Sequence, residues 1–264
     1  MIKAAFTLAL AFCLAAPVAA GGFDQSVSAQ LRPGWRLPDG RHVAGLELTL
    51  APGWKTYWRA PGDAGIPPSF DWSGSDNVSA VAITWPVPHV SYQGGMRSVV
   101  YTDRVVLPLT VSPSKSGEVR LSGEVSIGVC KDVCLPKTLR LDATLGDGDR
   151  PDPVIAAALA DRPFSASEAG VRGVTCSVAQ IEGGLSLTAK IDMPSAGGTE
   201  EMVIETGNPA VWVSEPESRR DNGLLVATAE LMHMEAKPFA LDRDEVTVTV
   251  IGERHVVEIT GCKG

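Results

Sequence analysis

Histidine is scarce in this chain of 264 residues: His42, His89, His233 and His255 are the only four, and none stands in a pattern that catalysis or metal binding uses. No H-E-x-x-H and no G-x-S-x-G occurs, so hydrolysis and phosphoryl transfer have no arrangement to work from. The paired carboxylates Glu200-Glu201 fall in turn-like sequence and read as solvated. Positive charge is also short. Lys and Arg number 23 against 31 Asp and Glu, a formal net charge of −8, which argues against nucleic acid or an anionic membrane surface as a partner. Long apolar runs are missing beyond residue 20, which leaves no segment for membrane insertion. From residue 173 onward no stretch keeps a helical period over several turns, which predicts an all-β second segment.

What is present begins with an export signal. Lys3 precedes an apolar run over 4–16, and Val18 and Ala20 supply small residues before Gly21, the pattern of a signal peptide (1–20) removed after Ala20. Cys13 lies inside that segment. Four cysteines then remain, Cys130, Cys134, Cys176 and Cys262, in a product expected to reach an oxidising compartment where disulfides persist. Four cysteines allow three pairings, and spacing favours Cys130 with Cys134 and Cys176 with Cys262.

Alternation of period two dominates the remainder and predicts strands with one buried face over 25–50, 78–85, 98–111, 118–129 and 138–145. Between them, 53–72 gathers Trp54, Tyr57, Trp58, Phe70 and Trp72 among prolines and glycines, which predicts an ordered loop packed on the sheet. The segment 89–96 reads as a glycine-punctuated loop carrying Tyr92. GDGDRPDP then marks a linker, and Asp152 with Pro153 predicts the cap and first turn of a short helix over 154–160. Strand patterns resume from 173, with a hairpin signal at Gly183-Gly184. The expected organisation is a β-sandwich over 21–148, a linker with a short helix over 149–165, and a second β-sandwich over 166–264.

The candidate chemistry lies in SIGVCKDVCLP, where Cys130 and Cys134 sit between two strands. A disulfide closing so short a loop removes little entropy from the unfolded chain, so stability alone is a poor reason for it, and redox exchange explains it better. Lys131 favours a neighbouring thiolate and Asp132 opposes it, which leaves the nucleophile open. Copper(I) is an alternative, since it accepts soft sulfur ligands and Met232-His233-Met234 offers two thioethers. A structural or chaperone-like sandwich with two inert disulfides is another. A bridge from Cys176 to Cys262 encloses nearly the whole second segment and reads as a structural staple, worth about 4 to 5 kcal/mol on the chain-entropy model.

Four pieces in order, GWKTYWR with Pro61-Gly62-Asp63, then Thr84-Trp85-Pro86, then YTDRVVLPL from Tyr101, then CKDVCLP from Cys130, resemble the N-terminal periplasmic domain of DsbD-type thiol:disulfide interchange proteins. The likeness covers about 25–145 and is nearest the ScsB-like branch associated with copper tolerance. It implies an immunoglobulin-like sandwich and a periplasmic location. It further implies a cysteine pair, Cys130 and Cys134, that takes electrons from a membrane-embedded thiol donor and passes them to periplasmic thioredoxin-like or disulfide proteins, with no cofactor and no metal. The resemblance also makes 89–96 a cap, with Tyr92 covering the pair, and makes Tyr57 an aromatic flanking it. The cysteine spacing here is tighter than in the best-known members, and the second segment carries no motif of the family.

Overall fold

The computed structural model describes residues 25–264, so the signal-peptide expectation lies outside the described residues. The first half of the chain folds as β1 (Val27–Arg36), β2 (His42–Leu50), β3 (Lys55–Tyr57), β4 (Ser69–Asp71), β5 (Val78–Ile83), β6 (His89–Gln93), β7 (Met96–Thr102), β8 (Arg104–Pro113), β9 (Arg120–Cys130) and β10 (Cys134–Thr144). A helix, α1 (Pro153–Ala160), follows. The second half runs β11 (Phe164–Ser165), β12 (Gly173–Ile181), β13 (Gly184–Asp192), β14 (Glu201–Glu205), β15 (Val211–Val213), β16 (Glu217–Asp221), β17 (Leu224–His233), β18 (Thr247–Ile251) and β19 (Val256–Thr260).

Each half packs two sheets face to face, the immunoglobulin-like sandwich architecture. In the first, the sheet β1-β2-β8-β5 faces β10-β9-β3-β7-β6, with β4 added along β9. Alternating side chains such as Leu46, Leu48, Leu107, Leu109, Leu121 and Val125 point between the sheets, where Trp58 is wholly buried. In the second, β11-β19-β18-β14 faces β12-β13-β17-β15, with β16 beside β17. Its core joins Leu187, Ile191, Leu225, Leu231 and Val250 to the buried Cys176–Cys262 disulfide.

Local sequence explains several details. Pro33-Gly34 shifts the β1–β2 register between Arg32 and Trp35. Gly34 has φ +67°, and a Cβ there would collide with the Val43 carbonyl oxygen, so only glycine fits the bulge. Asp152 caps α1 by accepting from the Val154 and Ile155 amides, and Ile155 beneath them is buried against Trp35, Val43 and Val106. The helix thus lies on the first sandwich.

Two loop expectations are corrected. The stretch 53–72 contains the short strands β3 and β4, because its backbone completes the ladder beside β9. The stretch 89–96 is the β6–β7 hairpin, turning at Gly94-Gly95 with both residues at positive φ.

The two sandwiches touch. Val203, Ile251 and Val256 join the core cluster of the first. The Arg59 guanidinium, three-quarters or more withdrawn from solvent, donates to Glu205 and Glu258 of the second.

Candidate functional site

Cys130 ends β9 and Cys134 begins β10, so Lys131, Asp132 and Val133 form the tight turn of a hairpin. The two cysteines are joined as a disulfide. Their surroundings differ sharply: Cys130 is 1 % exposed, packed on Tyr57 and Val100, whereas Cys134 and the whole turn are exposed. An incoming thiolate therefore has access to Cys134.

Strand pairing builds the floor of the site. Lys55 stands opposite Cys130 and opposite Thr102, while Tyr57 stands opposite Val100. Directly paired residues, and residues two apart on a strand, share a face, so Lys55, Tyr57 and Cys130 all project from one side of the sheet. The Tyr57 hydroxyl lies 2.9 Å from Cys130 Sγ and 3.4 Å from Cys134 Sγ, and it also donates to the Ala64 carbonyl at 3.3 Å. Burial pushes the Tyr57 phenol up, so the hydroxyl keeps its proton as a donor. Gly128 makes room for this ring, since a Cβ there would lie 3.0 Å from two of its carbons.

Lys55 was not singled out from sequence as a site residue. Its ammonium reaches Ser91 Oγ and Ser98 Oγ at 3.4 Å each, and burial pushes its pKa down. It places positive potential on the cysteine face. Lys131 and Asp132 are exposed in the turn, and Lys131 Nζ donates to the Pro52 carbonyl.

Tyr92 sits in the β6–β7 hairpin beside the site, but the pleat of β6 decides which way it faces. Ser91 lies towards Lys55, and Gln93, on the same side, donates to the Lys131 carbonyl at 2.8 Å. Tyr92 falls on the other side, 60 % exposed, and its hydroxyl donates to Glu201 at 2.7 Å. The hairpin residue meeting the Cys130–Cys134 turn is therefore Gln93. Glu201, expected to be solvated, is instead tied to Tyr92 and Arg97, and its neighbour Glu200 to Arg220. Both sets of contacts join segments far apart in sequence, which no local pattern signals.

The remaining candidates lie elsewhere. Cys176 pairs with Cys262 inside the second sandwich. Met232 is near the end of β17, and Met234 lies beyond it, largely exposed. Among the described residues, no group of three or more His, Cys, Asp or Glu side chains is arranged to hold a metal ion. Also among them, no helix is long and apolar enough to cross a membrane.

A search against protein-family models matches residues 25–146 to the family described as thiol:disulfide interchange protein DsbD, N-terminal. Residues 25–146 are a DsbD-type N-terminal domain. The match ends just past β10 and takes in the Cys130–Cys134 turn, Tyr57 and the β6–β7 hairpin. Among solved structures, the N-terminal periplasmic domain of ScsB from Proteus mirabilis superposes with a TM-score of 0.65 at 21 % identity, covering 88 % of this chain and 92 % of that one. That likeness concerns the fold and extends over both sandwiches. The DsbD N-terminal domain of Neisseria meningitidis in its reduced form is also found, at 15 % identity and a TM-score of 0.30, over 49 % of this chain and 93 % of that one. No curated protein sequence matches significantly.

Proposed function

We propose that this protein relays electrons in the periplasm, from a membrane-embedded thiol donor to periplasmic thioredoxin-like or disulfide proteins, through the Cys130–Cys134 pair. Membership of residues 25–146 in the DsbD N-terminal family supports thiol:disulfide interchange as the chemistry. The observation that carries the finer reading is the asymmetry of the disulfide: one cysteine exposed, the other buried with a phenol 2.9 Å from its sulfur.

That asymmetry supports one order of events. A donor thiolate attacks Cys134 Sγ, the bond to Cys130 breaks, and Cys130 leaves as a thiolate that accepts a hydrogen bond from Tyr57. The donor's second thiolate then attacks its own sulfur in the mixed disulfide. The donor departs oxidised, and the protein's sulfur pair has gained two electrons in total, taking up as many as two protons as the two thiols' pKa values dictate. Delivery is the reverse: the Cys134 thiolate attacks the recipient's disulfide and Cys130 resolves the mixed disulfide. The Tyr57 hydroxyl, with Lys55 paired opposite Cys130 on the same face, favours the charged form of the buried sulfur, which makes Cys130 the better leaving group. The second sandwich, stapled by Cys176 and Cys262, serves as a docking or spacing module.

The test is trapping in periplasm. Cys130→Ser leaves the exposed sulfur without its resolving partner and is expected to accumulate mixed disulfides with other proteins. Cys134→Ser leaves only a buried sulfur and is expected to capture none. Equal capture by both variants, or by neither, contradicts the assignment.

A further inference from the structure

The β6–β7 hairpin has two working faces. Its front meets the redox turn, with Gln93 Nε2 on the Lys131 carbonyl and Ser91 beside Lys55. Its back is gripped by the second sandwich. Tyr92 and Arg97, paired across the hairpin, both donate to Glu201, at 2.7 and 3.0 Å, each taking a different carboxylate oxygen. Arg97 is almost fully buried, and it also donates to the Met202 carbonyl at 3.0 Å, with Glu215 at 3.7 Å. Glu201 and Met202 open β14, the edge strand of its sheet, whose outward backbone groups are free to receive such a contact.

Polar contacts rather than packing fix the hairpin tip. A Cβ added at Gly94 or Gly95 would meet nothing within 4 Å, and Tyr92 and Met96 are about 60 % exposed. Hydrogen bonds to Glu201 behind and to Lys131 in front are the contacts by which its polar side chains are held. A small thiol reaches the exposed Cys134 past this tip, but a protein face must settle on the surface around Cys134, where the tip stands against the turn.

We infer that Glu201 is a positioning residue through which the second sandwich latches the β6–β7 hairpin against the redox turn, gating the approach of protein partners to Cys134. This rests on the exchange reading given above and adds a role for the second sandwich in it. The chemistry gated is unchanged. A partner dithiol reduces the disulfide by two electrons and is itself oxidised to a disulfide, in the two steps already written.

The test compares a small dithiol with a protein-sized one on the full chain: dithiothreitol and reduced thioredoxin. Reduction of Cys130–Cys134 is followed by quenched alkylation and peptide mapping, which separates it from Cys176–Cys262. Tyr92→Phe removes only an exposed hydroxyl and leaves Arg97 paired; Glu201→Gln weakens both contacts and serves as the second variant. Each is expected to leave the dithiothreitol rate near that of the unaltered protein and to raise the thioredoxin rate by roughly fivefold, the scale of one lost hydrogen bond in a two-state equilibrium. Loosening of the whole site would raise both rates alike, and that result overturns the latch. A thioredoxin rate unchanged or lowered in both variants also overturns it. If the unaltered protein exchanges with neither dithiol, the exchange reading itself fails, and the latch with it.

Discussion

Replacing Tyr57 by phenylalanine removes one oxygen atom from beneath the Cys130–Cys134 disulfide and leaves the buried ring in place against Gly128 and Val100. The hydroxyl has one proton and three neighbours: Cys130 Sγ at 2.9 Å, Cys134 Sγ at 3.4 Å and the Ala64 carbonyl at 3.3 Å. Disulfide sulfurs are weak acceptors, so in the oxidised protein the proton belongs to the carbonyl. When the bond breaks, the Cys130 thiolate outcompetes it. A hydrogen bond to a charged acceptor contributes about 1.5–3 kcal/mol, against about 0.5–1.5 for the neutral one given up. The gain on reduction is therefore about 1 to 1.5 kcal/mol. Its loss in Tyr57→Phe is expected to slow reduction by dithiothreitol about five- to thirteenfold, and to raise the Cys130 thiol pKa by about one unit. Stopped-flow reduction across pH measures the first, and the thiolate absorbance of the reduced protein measures the second. An unchanged rate together with an unchanged thiol pKa would refute the idea that Tyr57 stabilises the leaving sulfur.

Two further expectations concern stability. The Cys176–Cys262 bridge joins residues 86 apart and is buried in the second core, so replacing both cysteines with alanine is expected to cost about 4 to 5 kcal/mol in urea unfolding, and a loss below about 1 kcal/mol would show the bridge to be dispensable. Glu47, buried on β2, accepts from Arg104, Arg32 and Gln30, and these partners, Arg104 foremost, hold its pKa down at about 2, against an ordinary value of 4.5. A lowered folded-state pKa stabilises above the unfolded value and loses that contribution as pH falls through the folded one. The stability difference between the unaltered protein and Glu47→Gln should hold steady above about pH 5 and shrink between about pH 4.5 and 2. A difference independent of pH would mean that the ion pairs do not stabilise the fold.

Sequence pattern revealed the scaffold because sandwich strands with one buried face must alternate. The strands flanking the cysteine pair were visible in this way, as was the cap of α1, where Asp152 and Pro153 act within three residues of chain. The site was legible where chemistry and sequence proximity coincide, as in Cys130 and Cys134. Elsewhere it was not. β3 has three residues, too few to show a period, so only the family resemblance pointed to Tyr57 beside the pair, and nothing announced that Lys55 shares a face with Cys130. The hairpin at 89–96 hid behind its glycines. Because it is a hairpin and not a loop, the pleat sends Tyr92 to Glu201 and gives Gln93 the contact with the turn. Glu201 lies 109 residues from Tyr92, and a carboxylate pair in a turn-like stretch looks solvated until the fold supplies its partners.

The central claim, that Cys130 and Cys134 form a working redox couple and not a staple, is tested most directly by its equilibrium reduction potential. The full chain would be titrated against dithiothreitol and glutathione buffers, and the pair quantified by alkylation and mass spectrometry. A relay couple is expected between about −300 and −120 mV, the span of proteins that exchange thiols and disulfides. A value well below about −300 mV would mark an inert structural bridge and contradict the account.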